Sequence, residues 1–129
     1  MTPTRSSTSL RPATRVRRLV EAALDALPGQ YAEHIANVEF LIRRHPFRDQ
    51  RRNLRGGSPY GLYEGIALPA RAAGYDRAIP DRITIFWGPL VRDFPDDGTL
   101  ADEVRKTVYH EIAHYFGLDE PDLDHTSVH

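Results

Sequence analysis

Three residues in one short stretch have side chains that can hold a metal ion and move a proton. His110, Glu111 and His114 form the pattern H-E-x-x-H. On an α-helix, residues four apart lie on the same face about one turn apart, so both imidazoles can direct a nitrogen to one ion. A glutamate next to the first histidine lies beside the ion, where it can accept a proton from a water that the ion activates. The spacing predicts a mononuclear zinc site, one ion per chain, with Glu111 as general base.

A catalytic zinc ion needs a third protein ligand and leaves its fourth position to water. Gly117 can end the helix in a left-handed conformation, which lets the chain turn back toward the ion. Glu120, ten residues after His110, has the spacing and the reach that favour it as this ligand, and Asp119 is the second candidate. The weaker candidates are Asp122, Asp124 and His125. A neighbouring acid such as Asp119 can instead accept the outer N–H of a ligand histidine.

The composition narrows the chemistry further. The chain has 129 residues and no cysteine, which excludes disulfides and thiolate ligands, so a metal must be held by His, Asp or Glu. The net charge of −1 does not favour nucleic acid as a partner. No run of apolar residues approaches the roughly 18 that a membrane span requires. These features predict a soluble, cytoplasmic protein.

The N-terminal part of the chain is predicted to be a disordered tail followed by an amphipathic helix. Residues 1–13 are polar and contain no acid, so they bury too little apolar surface to become ordered. From Thr14 onwards apolar residues recur at helical spacing until a Pro-Gly pair stops the run. A short helical turn is expected at 28–35. Residues 14–129 are then expected to form one domain.

The middle of the chain carries the strand signals. Strands are predicted at 38–42 and 83–87, where β-branched and aromatic residues cluster, and a strand, turn and second strand in the glycine-marked segment 61–68. The segment 47–60 is predicted to be an exposed loop and 89–98 a connection. Strands that precede a long C-terminal helix predict an α+β fold.

The helix that carries the motif is predicted to begin at Leu100. Thr99 is the expected N-terminal cap, and Asp102 and Glu103 would lie in the first turn, where acids complement the helix dipole. Gly117 is the expected end. The apolar stripe of this helix comprises Leu100, Ala101, Val104, Val108, Ile112 and Tyr115.

The sequence resembles the minimal zincin-like family of small bacterial proteins, which are predicted zinc metallopeptidases. The matching segments are Gly61–Gly65, Pro80–Phe86 and Val104–Glu120, and the resemblance covers about residues 14–125. The family signature, H-E-x-x-H-x-x-G-x-x followed by an acid or Ser, falls on His110, Glu111, His114, Gly117 and Glu120. The resemblance implies a small twisted mixed sheet packed on helices, with the zinc motif on the long C-terminal helix.

The chain departs from these relatives and from the metzincins in its third ligand. The minimal family more often has Asp or Ser where this chain has Glu120, and the metzincins have a third histidine there. Met1 is the only methionine, so a methionine turn below the metal is excluded. The predicted function is a zinc-dependent hydrolase, and within that class the prediction is a metallopeptidase that acts on a peptide or protein.

Two other functions remain open. A metal-dependent RNA nuclease is one, because His110, His114 and Glu120 mimic the H-x-x-x-H-x-x-x-x-x-H spacing of bacterial ribosomal-RNA maturation endonucleases. Six arginines between Arg43 and Arg55 could then contact phosphates, although such a run is more often a solvated loop. Glu111 argues against a nuclease. A zinc-stabilised binding module without catalytic activity is the second alternative.

Tyr63 is the remaining candidate for the site. It lies beside a glycine turn, and its hydroxyl could steady an oxyanion during hydrolysis. The alternative is a half-buried sheet tyrosine with a structural role.

Overall fold

A small mixed sheet and a long C-terminal helix form the centre of the molecule. The computed structural model describes residues 11–53, 58–65 and 81–117. The elements in these ranges are α1 (Pro12–Asp25), α2 (Gly29–Ala32), a 3₁₀ helix (His34–Asn37), β1 (Glu39–Arg43), α3 (Arg48–Asn53), β2 (Gly61–Glu64), β3 (Arg82–Phe86), α4 (Trp87–Asp93) and α5 (Asp97–Phe116). The α+β class predicted from the sequence is confirmed.

The three strands are arranged in the order β1-β3-β2. β1 runs parallel to β3, with Phe40 opposite Ile83, whereas β2 runs antiparallel to β3, with Leu62 opposite Thr84. The last strand in sequence is therefore the middle strand of the described sheet. This position explains its composition, because a central strand that is buried on both faces favours a continuous run of β-branched and aromatic residues.

β3 is buried on both faces after its first residue, Arg82. Ile83 and Ile85 point to one face, Thr84 and Phe86 to the other, and all four are fully buried. The isoleucines belong to the hydrophobic core that α1 and α5 complete. Burying each such aliphatic side chain contributes about 1.5–3 kcal/mol to folding, so β3 is well fixed relative to the helix that carries the metal motif.

The helix α5 packs against β2, β3 and α1 through a stripe of residues spaced four apart. Its fully buried members are Leu100, Val104, Val108 and Ile112. The hydroxyl of Tyr109 donates to the backbone carbonyl of Ala23 in α1 at 3.1 Å. Three turns of apolar contact and this hydrogen bond hold the C-terminal half of α5 in one orientation.

The start of α5 differs from the prediction. The helix begins at Asp97, and Asp96 caps it by accepting the Thr99 N–H at 3.1 Å. Thr99 is thus the residue whose backbone is capped, and Asp97 is the acid in the first turn. Asp96 and Thr99 are both good cap residues by type, and the aspartate three residues upstream adds almost a full turn to the helix.

Two segments predicted to be irregular contain helices. The helix α4 extends from Trp87 to Asp93 and so includes the first half of the segment 89–98. Pro89 is compatible with this helix because it lies in the first turn, where a missing N–H costs nothing. Within 47–60, α3 is held by Gln50, which accepts the Phe47 N–H and donates to Glu64. The exposed-loop prediction is therefore wrong for 48–53.

The remaining boundaries shift by one to three residues. The first helix begins at Pro12, so the last two residues of the predicted tail are helical, and residues 1–10 lie outside the described ranges. The turn predicted at 28–35 is α2 followed by the 3₁₀ helix. The second strand predicted within 61–68 also lies outside the described residues. Within the described residues, no helix combines the length and the apolar composition needed to cross a membrane.

Candidate metal centre

The predicted motif lies in the last two turns of α5, and its three polar side chains converge. Donor atoms of His110, Glu111 and His114 all lie within 4.8 Å of one another. The two imidazole centroids are 4.4 Å apart. The carboxylate of Glu111 lies between them, with Oε2 3.8 Å from Nε2 of His110 and Oε1 3.2 Å from Nδ1 of His114.

Burial divides these three residues into an inner carboxylate and an outer pair of imidazoles. The side chain of Glu111 is only 2% exposed, whereas those of His110 and His114 are 24% and 47% exposed. A ligand that approaches from solvent therefore meets the histidines first and finds the carboxylate behind them. Such a gradient suits a site in which the imidazoles hold an ion and the acid acts on a molecule bound beside it.

The strand β2 covers Glu111 closely. A Cβ atom at Gly61 would lie 2.8 Å from Cγ2 of Thr107 and 3.3 Å from Cγ of Glu111. Glycine is therefore required at this position for the strand to approach the helix so closely. Two residues later, the backbone N–H of Tyr63 donates to the Glu111 carboxylate. The edge of the sheet thus supplies a hydrogen bond to the acid.

Burial raises the pKa of the Glu111 carboxyl above its usual range, and the nearby His114 and His110 oppose this shift. The hydrogen bond from the Tyr63 N–H also favours the ionised form. Within the described residues, Oε1 is buried and accepts no well-aligned hydrogen bond. A buried oxygen of this kind is left available for a proton or a bound molecule, which is the property required of a general base.

The donor set fits zinc. Two ligands bound to a tetrahedral zinc ion at about 2.1 Å lie about 3.4 Å apart, and the donor atoms here all lie within 4.8 Å of one another. Imidazole nitrogens are ligands that zinc accepts, and the Glu111 carboxylate lies beside them, where it can act on a water at the ion. The buried Glu111 oxygen would also gain a partner when a water or a substrate binds at the ion.

Gly117 ends the helix three residues after His114, as predicted. Its φ of 71° and ψ of 29° are left-handed, and its N–H donates to the carbonyls of Ala113 and His114. This conformation turns the chain away from the helix axis directly after the motif. The predicted third ligand Glu120, its alternative Asp119 and the weaker candidates all lie outside the described residues.

The comparison with known families agrees with the geometry. A family model for zincin-like metallopeptidases matches residues 35–128. The chain belongs to this family. The match spans more than half of the chain and includes both β3 and the complete H-E-x-x-H pattern. No curated protein sequence matches the chain.

The Tyr63 hydroxyl has a hydrogen-bond partner that the sequence did not indicate. The hydroxyl of Tyr63, predicted as a candidate to steady an oxyanion, donates to Oδ1 of Asp81 at 2.7 Å. The contribution of this residue that the structure reveals is its backbone N–H on Glu111. Sequence reasoning could not find it, because every residue except proline carries the same donor.

Proposed function

We propose that this protein is a zinc-dependent peptidase in which Glu111 is the general base. The observation that carries the proposal is the placement of a buried carboxylate beside two partly exposed imidazoles, within 4 Å of a nitrogen of each. His110 and His114 would hold one zinc ion, and Glu120 would complete the ligand set. Zinc, when bound, lowers the pKa of a coordinated water and polarises the scissile carbonyl.

The chain's own residues then supply the proton transfers. Glu111 accepts a proton from the attacking water while the water oxygen bonds to the carbonyl carbon. It next donates that proton to the amide nitrogen as the C–N bond breaks, so one group serves as base and then as acid. Burial raises the pKa of the Glu111 carboxyl, which makes the carboxylate a stronger proton acceptor than an exposed glutamate.

Among the described strands β2 lies at the edge of the sheet, and this position supports a peptide as substrate. The Phe86 N–H donates to the carbonyl of Tyr60 at 2.8 Å, which sets the alternation of the antiparallel pair. This alternation turns the backbone of Leu62 toward β3 and the backbones of Gly61 and Tyr63 away from it. The Tyr63 N–H on this side already donates to Glu111, so an extended peptide would add to this edge through the Gly61 backbone and the Tyr63 carbonyl. The same edge lies over Glu111, so the added strand would pass beside the acid.

The deciding experiment is a cleavage assay on a mixture of peptides of known sequence, with products identified by mass spectrometry. We expect zinc-loaded protein to cut peptide bonds, the activity to vanish with a chelator and to return when zinc is restored. A structured RNA is incubated in parallel. Cleavage of the RNA with intact peptides would establish the nuclease alternative. One bound zinc per chain with neither substrate cut would establish the non-catalytic module.

A further inference from the structure

Tyr63 lies on a strand that has one described partner and nevertheless supplies a hydrogen bond to Glu111. β2 has four residues and pairs only with β3 in the described sheet. A short strand bonded along one edge is the easiest part of a sheet to displace. For the Tyr63 N–H to remain on the Glu111 carboxylate, contacts other than the strand pairing must hold β2 in place.

The Tyr63 side chain provides such contacts. Its hydroxyl donates to Oδ1 of Asp81 at 2.7 Å, and its ring packs edge-to-face on Tyr115 of α5 with centroids 5.9 Å apart. An edge-to-face pair contributes about 0.5–1.5 kcal/mol beyond the area that it buries. The residue is thus fixed at its outer end by a carboxylate and along its ring by the same helix that carries Glu111.

Asp81 is itself held firmly. It directly precedes β3 and is 8% exposed. Its backbone carbonyl accepts the Glu39 N–H at 3.0 Å, at the start of β1. The acceptor for the Tyr63 hydroxyl is therefore attached to the two parallel strands rather than to a loose segment, and it can act as a fixed point for β2.

Because Gly65 has no side chain, there is room beside it for the hydrogen bond between Tyr63 and Asp81. Its φ is 149°, a value that L side chains rarely adopt. A Cβ at this position would lie 2.5 Å from Oδ1 of Asp81 and 3.0 Å from the Tyr63 hydroxyl oxygen. The end of β2 thus passes directly over the Tyr63–Asp81 hydrogen bond, at a point where only glycine fits.

We infer that Tyr63, anchored by Asp81, is the positioning residue for Glu111: the Asp81–hydroxyl bond holds the strand so that the Tyr63 N–H orients the Glu111 carboxylate. The catalytic consequence rests on the proposed function. The positioning itself is a property of the chain and can be measured without metal or substrate, so the failure of one proposal is distinguishable from the failure of the other.

The test follows the backbone amide of residue 63 by NMR in metal-free protein labelled with nitrogen-15. Glu111→Gln should move the amide proton of Tyr63 upfield, which identifies the carboxylate as its acceptor. Tyr63→Phe, which keeps the ring and removes only the hydroxyl, should accelerate hydrogen exchange of this amide about tenfold. Asp81→Ala should do the same, whereas Asp81→Asn keeps an oxygen acceptor and should restore most of the protection.

Tyr60→Phe is the matched control. The Tyr60 hydroxyl donates to Oδ2 of Asp93 at 2.8 Å, a bond of similar length that lies just before β2. This variant should leave the exchange of residue 63 within about twofold of wild type. With a cleaved peptide in hand, Tyr63→Phe should lower kcat and leave KM unchanged. Wild-type exchange of residue 63 in both Tyr63→Phe and Asp81→Ala, or equal acceleration in Tyr60→Phe, would overturn the inference.

Discussion

Oε1 of Glu111 and Nδ1 of His114 are 3.2 Å apart, although the carboxylate is almost completely buried and the imidazole is half exposed. The contact therefore links a buried group to a group at the surface within one turn of α5. The charge of a buried acid depends strongly on such neighbours, since burial alone favours the protonated form. The state of Glu111 should therefore respond to pH and to a metal on the histidines.

The metal-free protein should lose stability through Glu111 as the pH rises. The folded-state pKa of Glu111 is raised, chiefly by burial, above that of the unfolded chain. Its stabilising contribution is therefore fully present below about pH 4 and is lost as the pH rises through the folded-state pKa. In urea unfolding, the free energy of unfolding of Glu111→Gln should rise relative to that of wild type as the pH increases. The rise should be at most about 1.4 kcal/mol per pH unit. A difference that shrinks with rising pH would contradict this.

The Glu111→Gln variant should also separate catalysis from folding. The amide cannot accept the proton of the attacking water, so peptide hydrolysis should fall about 10²–10⁴-fold while zinc stays bound. Glu103→Gln makes the same change two turns earlier on α5 and should leave the rate within twofold of wild type, by our estimate. Equal rates for wild type and Glu111→Gln would remove Glu111 from the role of base.

Zinc binding should depend on the two histidines of α5. We expect about one zinc per chain by elemental analysis, and none in the double variant His110→Ala/His114→Ala. His45→Ala, a change of the exposed histidine after β1, should bind as wild type does. Zinc at about 100 times its Kd should add about 2.7 kcal/mol of stability to wild type. Undiminished zinc content in the double variant would exclude this site.

Gly61 should tolerate no side chain. An added Cβ would lie 2.8 Å from Cγ2 of Thr107 and 3.3 Å from Cγ of Glu111. We expect Gly61→Ala to cost about 1–3 kcal/mol in urea unfolding, the usual range for overpacking, and to reduce hydrolysis as well. Gly29→Ala is the control, because a Cβ there meets nothing within 4 Å. If both alanine variants unfold at the same urea concentration, β2 does not pack as closely as described.

The third zinc ligand is open to a direct comparison. Glu120 has one more methylene of reach than Asp119, and Pro121 after it favours an extended backbone at Glu120. Glu120→Ala should weaken zinc binding by more than the roughly 10–100-fold typical of residues that only orient a ligand, and Asp119→Ala should stay within that range. Isothermal titration of both variants settles the order, and the reverse order would make Asp119 the ligand.

The elements whose signal is local were predictable from the sequence. The regular apolar spacing in α5 and the β-branched run in β3 placed both within one to three residues. The short helices α3 and α4 were missed for different reasons. Gly88-Pro89 indicated a break, yet Pro89 fits the first turn of α4, and α3 depends on the bond from Gln50 to Glu64, fourteen residues away. Long-range contacts of this kind leave no periodic trace in the sequence.

The same contrast holds for the candidate site. His110, Glu111 and His114 are recognisable because their chemistry resides in side chains at helical spacing. The environment that buries Glu111 comes from Gly61 and the Tyr63 backbone, which are remote in sequence and carry no distinctive group. Asp81 was not predicted, since a lone aspartate before a strand is common at turns.

The double use of α5 limits how this protein can change over evolutionary time. Its fully buried residues and its metal motif lie on one continuous helix. The direction in which the histidines point is therefore fixed by how the buried residues pack against the core. One residue inserted between Leu100 and His110 would turn the motif by about 100° relative to the core contacts. Divergent descendants can therefore lengthen or shorten the chain before Asp96, whereas the spacing within α5 and from His110 to the predicted ligand Glu120 must be inherited unchanged.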